Sequence, residues 1–278
     1  MYATDFEYAD KRLSDFGCII CSIDKEAGVE EMNIGCDITF NTVKNNHSSI
    51  HSKTSSAYDN VYTTSFQIAK DFSGINQEEA YFSYEEVRAL YKWLNRRSYH
   101  KFKPFPEHDV SYDIHYYGSF NVDEVLINGK IAGLTLAFTA NAPYGFGEEI
   151  SLEFVTSGAD DEFCIYGDSD EADSVIYPKV RIKCLAEGTN TLTITNQTTH
   201  NVVTIQNCSA GEIITMDGEH KLISSENGSH TDGNISRDFD YTYLDIQVGE
   251  DDYSKNVYKT SLPCELTITY APIRKVGV

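Results

Sequence analysis

The chain has 278 residues and carries 22 Lys+Arg against 43 Asp+Glu, a formal net charge of −21. Hydrophobic residues make up 41% and aromatic residues 12%, the composition of a folded protein of one large or two ordinary domains and not of a disordered acidic tail. A chain this negative lacks the clustered Lys and Arg that grip duplex DNA or an anionic membrane, so sequence-specific nucleic-acid binding and membrane docking are not expected.

The opening Met1–Glu7 has neither a basic nor an apolar stretch, so no secretory signal is expected. No apolar run approaches the roughly 20 residues of a membrane-spanning helix. Phe16–Asp24 and Met32–Phe40 are short β-type runs, and Val61–Phe72 is a longer one. Between them Thr42–Tyr58, rich in Ser and Asn, reads as a long exposed loop. Tyr84–Arg96 is a helix. Ser83 at its N-cap and Glu86 three residues on make a capping box, Glu85 suits the first turn, and Val87, Leu90, Tyr91 and Leu94 form a core-facing stripe. Trp93 is expected to pack. Tyr112–Ile127 and Lys130–Asn141 are strands joined at Asn128-Gly129, the signal of a type I′ hairpin. Ala142-Pro143-Tyr144-Gly145 with Gly147 closes this half, which places a domain boundary between residues 147 and 148.

The second half is a succession of short strands: Ile150–Val155, Lys179–Leu185, Thr191–Thr195, Val202–Gln206, Ile213–Met216, Tyr241–Val248 and Glu265–Tyr270. Turn signals such as Glu187-Gly188 and Asp217-Gly218 recur at the spacing of a sandwich or jelly roll. The fold class is therefore mainly β with one α-helix in the N-terminal half. Charge is uneven. Residues 1–147 hold 13 basic and 20 acidic side chains, a net of −7, whereas residues 148–278 hold 9 and 23, a net of −14.

No motif marks an enzyme. GxxxxGK[ST], HExxH and GxSxG are all absent, and no carboxylate pair stands out as a glycosidase would require. Cys18 and Cys21 have CxxC spacing, but no second Cys/His pair follows at ligand distance. Alternation along a strand would also send the two thiols to opposite faces, so the seven cysteines are read as buried free thiols. Glu107-His108-Asp109 with Asp113 and His115 gathers metal-capable side chains, yet a surface loop leading into a strand accounts for it equally well. Asp160-Asp161-Glu162, Asp168–Asp173 and Glu250-Asp251-Asp252 lack the Gly and distal Glu of an EF-hand and read as solvated turns. Tyr241, Tyr243 and Tyr253 could form a sugar-binding surface, although Tyr is also an ordinary sheet and interface residue. Five N-x-S/T sequons (Asn46, Asn196, Asn207, Asn227, Asn234) mean little without an export signal. No catalytic, cofactor-binding or metal-binding residue is therefore assigned, and no cofactor.

Specific strings point further. Tyr8–Ile20 (YADKRLSDFGCII), Phe66-Gln67-Ile68, Trp93–Arg97 (WLNRR) and Tyr117–Val122 (YGSFNV) resemble the siphophage distal tail (Dit) family. So do Gly133–Phe138 (GLTLAF) and Asn141–Tyr144 (NAPY). In the second half Gly211–Asp217 (GEIITMD), Pro263–Ile268 (PCELTI) and Arg274–Gly277 (RKVG) look like the family's C-terminal domain. The resemblance implies a structural, non-enzymatic protein of the virion tail, at the baseplate or tail tip, assembled in the host cytoplasm. Residues 1–147 would be a ring-forming hub domain and residues 148–278 a peripheral, galectin-like β-sandwich. Its implied partners are its own copies in a ring, commonly a hexamer, the tail tube protein, a tail-associated (Tal-like) tip protein and a receptor-binding protein. The second half has no room for an inserted carbohydrate-binding module; the alternative remains a carbohydrate- or receptor-binding tail module that recognises the host surface. Two expectations follow for the ring. The segment Thr42–Tyr58 packs against a neighbouring subunit or an adjoining tail protein, because loops of that length are functional or disordered. The lumen is acidic, with Arg88, Arg96 and Arg97 turned away from it, so that duplex DNA slides past.

Overall fold

A computed structural model describes residues 3–23, 36–44, 51–71, 80–106, 113–158, 161–172, 174–231, 233–249 and 254–275. It divides into two compact units, Met1–Gly147 with Arg274–Val278, and Glu148–Ile273. Among the described residues no helix is long and apolar enough to cross a membrane.

In the first unit the strands are β1 (Ala3–Tyr8), β2 (Lys11–Arg12), β3 (Cys18–Cys21), β4 (Ile38–Lys44), β5 (His51–Tyr58) and β6 (Thr63–Lys70). Helix α1 (Tyr84–Leu94) follows, then β7 (His100–Pro106), β8 (Tyr116–Ile127), β9 (Lys130–Ala140) and β10 (Gly145–Phe146). Seven strands form one antiparallel sheet in the order β2-β1-β7-β8-β9-β6-β3. Its centre is the hairpin β8–β9, whose turn residues Asn128 (φ 51°) and Gly129 (φ 75°) both adopt the left-handed conformation that a type I′ turn demands. Strand β7 contains Pro104, which argues against a central strand. It pairs with β8 only over His100–Phe102 and continues along β1 to Pro106, so both prolines lie beyond the stretch bonded to β8.

The core of this unit is a stack of rings. Phe6 lies 5.6 Å from Trp93, nearly parallel, and edge-on to Phe66 and Phe102 at 5.6 and 5.5 Å. Phe120 meets Tyr8 and Phe138 at 5.0 Å each. Such offset and edge-on pairs add to what burial alone contributes. The capping box of α1 is formed: Glu86 N–H donates to Ser83 Oγ at 3.3 Å and Ser83 N–H to Glu86 Oε2 at 2.7 Å. Burial opposes ionisation of Glu86, but the Lys70 ammonium at 2.7 Å and the Ser83 donors hold its carboxyl below the ordinary range. The helix ends at Leu94, with Asn95 as C-cap, two residues before the expected end at Arg96. Its buried stripe is Val87, Leu90, Trp93 and Leu94. Tyr91, expected in that stripe, is 42% exposed at the rim and donates its hydroxyl to Val122 O at 3.1 Å.

The second unit contains β11 (Ile150–Thr156), β12 (Glu162–Gly167), β13 (Val175–Ile176), β14 (Lys179–Cys184), β15 (Thr189–Asn196) and β16 (Asn201–Ser209). It continues with β17 (Ile213–Asp217), β18 (Leu222–Ser225), the short α2 (Ile235–Asp238), β19 (Ile246–Gln247), β20 (Ser254–Thr260) and β21 (Cys264–Tyr270). An antiparallel sheet of order β11-β21-β14-β17-β18 and another of order β12-β20-β15-β16 supply the buried aliphatic core, including Ile165, Ile182, Ile194, Ile205, Ile214, Met216, Leu266 and Ile268. The alternating burial along each strand is that of a β-sandwich.

Two expectations fail here for physical reasons. Tyr241–Val248 is not one strand; only Ile246–Gln247 pairs in a ladder. The carbonyls upstream are taken by side chains: Asn201 Nδ2 donates to Tyr243 O at 2.8 Å, while Asp245 O accepts from Asn196 Nδ2 at 3.1 Å and Tyr258 Oη at 2.6 Å. Nor is Thr42–Tyr58 a loop, because its described ends, 42–44 and 51–58, belong to the two strands of a hairpin. Residues 45–50 of that segment, and 32–35 of the expected Met32–Phe40 run, lie outside the described residues.

Candidate assembly surfaces

The hairpin β4–β5 is exposed almost throughout. Every β4 residue is exposed, and in β5 only Tyr58 is half-buried. Three of its apolar side chains face solvent: Ile38 at 44%, Phe40 at 56% and Val43 at 58%. Ile38 and Phe40 share one face and Val43 lies on the other, since neighbours in a strand alternate. The register shifts between Asn41 and Thr42, where Thr54 is the extra residue and its Oγ1 donates to Asn41 O at 2.9 Å. That bulge twists the ribbon. Lys53 Nζ sits 5.3 Å from the Phe40 ring centre. Among the described residues this two-stranded sheet pairs with no other strand, so an edge of each strand is open. From Ile38 to Tyr58 the sequence contains Lys44 and Lys53 and no Asp or Glu, in a chain of net charge −21. The length of Thr42–Tyr58 already marked it; the charge gap and the Ile38-x-Phe40 alternation are the signals that extend it back to Ile38.

The residues singled out for chemistry are dispersed. Cys18 is buried and Cys21 half-buried, and burial pushes the Cys18 thiol up to about 12. Asp113 pairs with Lys103, while His115 is buried between the rings of Tyr117 and Phe146; Glu107, His108 and Asp109 lie outside the described residues. Asp161 accepts from Ser157 N–H at 2.5 Å and Glu162 pairs with Lys259 at 2.9 Å. Asp160, Asp173, Glu250, Asp251, Asp252 and Tyr253 are outside the described residues. Among the described residues no group of three or more His, Cys, Asp or Glu could hold a metal ion. Trp93 is buried and its Nε1–H donates to Tyr8 O at 2.7 Å. Tyr241 is exposed and Tyr243 buried, so they do not form a common platform. Arg88 and Arg97 are exposed; Arg96 is half-buried and donates from Nε to Trp93 O at 3.0 Å.

A polar cluster that the sequence did not suggest lies inside the second unit. His230 Nδ1 is 2.6 Å from Glu212 Oε1, and its Nε2 is 3.1 Å from Asp238 Oδ2. Burial would raise the Glu212 carboxyl, but Ser209 N–H at 2.9 Å, Ser225 Oγ at 2.8 Å and His230 hold it below the ordinary range. His230 and Glu212 are both buried, so neither can meet a substrate; the cluster fastens α2 and the 228–230 turn to the β16–β17 turn.

Residues 1–142 match the family model described as a phage tail protein N-terminal domain, and residues 144–270 match a phage tail C-terminal domain. No curated protein sequence matches the chain. Among solved structures, the fold matches that of the SPP1 Dit protein, a hub adsorption apparatus in Gram-positive infecting phages. The TM-score is 0.62 at 11% identity, over 96% of this chain and 98% of that one. A chain of the phage P2 baseplate in its activated conformation with Ca aligns with a TM-score of 0.48 at 10% identity, over 95% and 97% of the two chains.

Proposed function

Because the chain belongs to the phage tail protein family, we propose that it is a structural hub of the distal tail, whose copies close into a ring between the tail tube and the tail-tip machinery. Residues 1–147 form the ring, six copies by the family resemblance, and residues 148–278 form the peripheral sandwich. Its partners are other copies of itself, the tail tube protein, a tail-associated tip protein and a receptor-binding protein, and it catalyses no reaction.

The observation that carries this reading is the exposed hairpin. A ring is built from a heterologous contact whose rotation closes, so each copy must present two different surfaces. A two-stranded ribbon in water is marginal by itself. β4–β5 leaves its edges open and Ile38, Phe40 and Val43 in solvent, which a neighbour's sheet would pair and cover. Lys44 and Lys53 complement a neighbour whose first 147 residues carry a net −7.

The test is assembly. Asp59 N–H donates to Asp37 O at 2.9 Å, so the base of the hairpin is already closed and residues 38–58 can be replaced by a short glycine linker. The native chain is expected to give a ring by native mass spectrometry and negative-stain imaging. The deletion is expected to give a folded monomer. Unchanged assembly of the deletion variant would remove the hairpin from the interface. A wild-type monomer that binds glycans would favour the receptor-binding alternative.

A further inference from the structure

A contact that closes a ring joins two different surfaces, and β4–β5 supplies only one of them. The far end of β8–β9 has the features of the other. Strand β8 runs from Tyr116 to Ile127, yet β7 pairs with it only as far as Gly118. From there its outer side is sealed by side chains. Tyr8 Oη donates to Gly118 O at 3.3 Å, Asn95 Nδ2 to Phe120 O at 3.1 Å and Tyr91 Oη to Val122 O at 3.1 Å. Carbonyls two residues apart on a strand point to the same side, so Glu124 O and Leu126 O continue this row. Among the described residues no donor reaches either, and the edge of β8 is open beyond Val122. The side chains change character at the same place. Every second residue from Tyr116 to Val122 is buried, whereas Asp123, Glu124, Leu126 and Ile127 are all exposed, Leu126 at 58% and Ile127 at 43%. Leu126 and Ile127 lie on opposite faces, because neighbours in a strand alternate. Residues 119–129 contain Asp123 and Glu124 and no Lys or Arg. This overhanging end is the electrostatic inverse of β4–β5, which carries Lys44 and Lys53 and no acid.

We propose that Asp123–Ile127, the overhanging end of β8, receives the β4–β5 hairpin of a second copy of this chain, which adds to the open edge as a further strand. Strand addition gives the main-chain groups of Glu124 and Leu126 the partners that one copy does not supply. The apolar side chains of the hairpin then cover Leu126 and Ile127, and Lys44 and Lys53 meet Asp123 and Glu124. Charge also fixes the direction of the contact. Two hairpins would set lysines against lysines, and two β8 ends would set carboxylates against carboxylates, so neither element suits a copy of itself. The join is therefore head-to-tail, the kind of contact from which rings are built. The proposal rests on the reading of β4–β5 as an assembly surface and adds to it the residues that take the hairpin up.

The experiment is a charge exchange on the full-length chain, with association measured by analytical ultracentrifugation over a dilution series. Asp123→Lys with Glu124→Lys should weaken association by about ten-fold or more, and Lys44→Glu with Lys53→Glu by a similar factor. The denaturant midpoint read by Trp93 fluorescence should not move in either variant. Combining all four substitutions should restore most of the lost association. In a second measurement a photoreactive benzophenone amino acid replaces Leu126, and irradiation should join two chains through a peptide within residues 38–58. Should a charge-exchanged variant fail to fold, this crosslink decides alone. If the lysine changes weaken association and the Asp123 and Glu124 changes do not, the hairpin docks elsewhere on its neighbour, and this contact is overturned while the hairpin keeps its role. Loss without rescue in the four-fold variant, or a Leu126 crosslink that is absent or lies outside residues 38–58, has the same consequence. A native chain that stays monomeric at every concentration overturns the assembly reading itself, and this contact with it.

Discussion

The first unit contains two antiparallel hairpins made in opposite ways. In β8–β9 one face is apolar from Tyr116 to Val122 and along the facing stretch of β9, and Phe120, Val122, Leu134, Leu136 and Phe138 are all buried. In β4–β5 no described side chain is fully buried, and its exposed apolar residues are divided between two faces. The backbone chemistry of the two ribbons is the same, so what differs is where the apolar area goes. The buried ribbon spends it on its own core, whereas the exposed one leaves it in solvent. A hairpin that contributes little to the monomer and has edges available for pairing is better explained by assembly than by folding.

The contrast is sharpest at two phenylalanines. Phe120→Ala should destabilise the first unit by about 3–5 kcal/mol, because the deleted ring leaves a cavity among Tyr8, Phe102 and Phe138. Denaturant unfolding followed by Trp93 fluorescence would report it, since the single Trp sits in that unit. A loss below about 1 kcal/mol would mean that β8–β9 is not anchored through Phe120. A smaller effect is expected at Gly118→Ala. A Cβ at that position would strike the Phe138 ring and the Thr139 carbonyl, so the β8–β9 pair must shift, at a cost of about 1–3 kcal/mol. The same denaturant titration measures it, and a neutral result would show that the hairpin has slack.

The sequence made the first ribbon legible and concealed the second for the same reason. Alternation is visible only when one face is apolar, as in Phe120-x-Val122 and Leu134-x-Leu136-x-Phe138, and the Asn128-Gly129 turn fixed the pairing. Thr39, Asn41, Ser52, Thr54, Ser55 and Ser56 give β4–β5 the composition of a loop, although they are adequate strand residues once a neighbour is paired. β7 was hidden by Pro104 and Pro106, and nothing local announces that β1 will bond to it. In α1 the 3.6-residue period admits either Tyr91 or Trp93 beside Leu90 and Leu94. Trp93 is inside because Phe6 and Phe16 sandwich it and Tyr8 O accepts its N–H, contacts with residues some 80 positions away. The polar side chains that interrupt Tyr241–Val248 are long-range in the same sense. The family resemblance, by contrast, was carried by local strings, which is why the tail-protein assignment was readable; the length of Thr42–Tyr58 marked the segment, while its pairing as two strands stayed hidden.

The smallest expected effect on stability belongs to Phe40, and it is the most informative. Phe40→Ser removes an exposed ring opposite Ser56, so the unfolding midpoint should stay within about 0.5 kcal/mol of wild type. If the hairpin serves a neighbouring copy, the same change should weaken assembly strongly, because a buried aromatic anchor commonly carries 2 kcal/mol or more of an interface, about a thirty-fold change in the association constant. Analytical ultracentrifugation across a dilution series separates the two quantities. Val43→Ser tests the opposite face: if only Phe40 matters, the neighbour covers one face of the ribbon, and if both matter it embraces the two. A large loss of monomer stability at Phe40 would place the ring in an intramolecular core and erase the difference between the hairpins. Unchanged stability with unchanged assembly would leave the ribbon's edges, and not its apolar faces, as what a neighbour recognises.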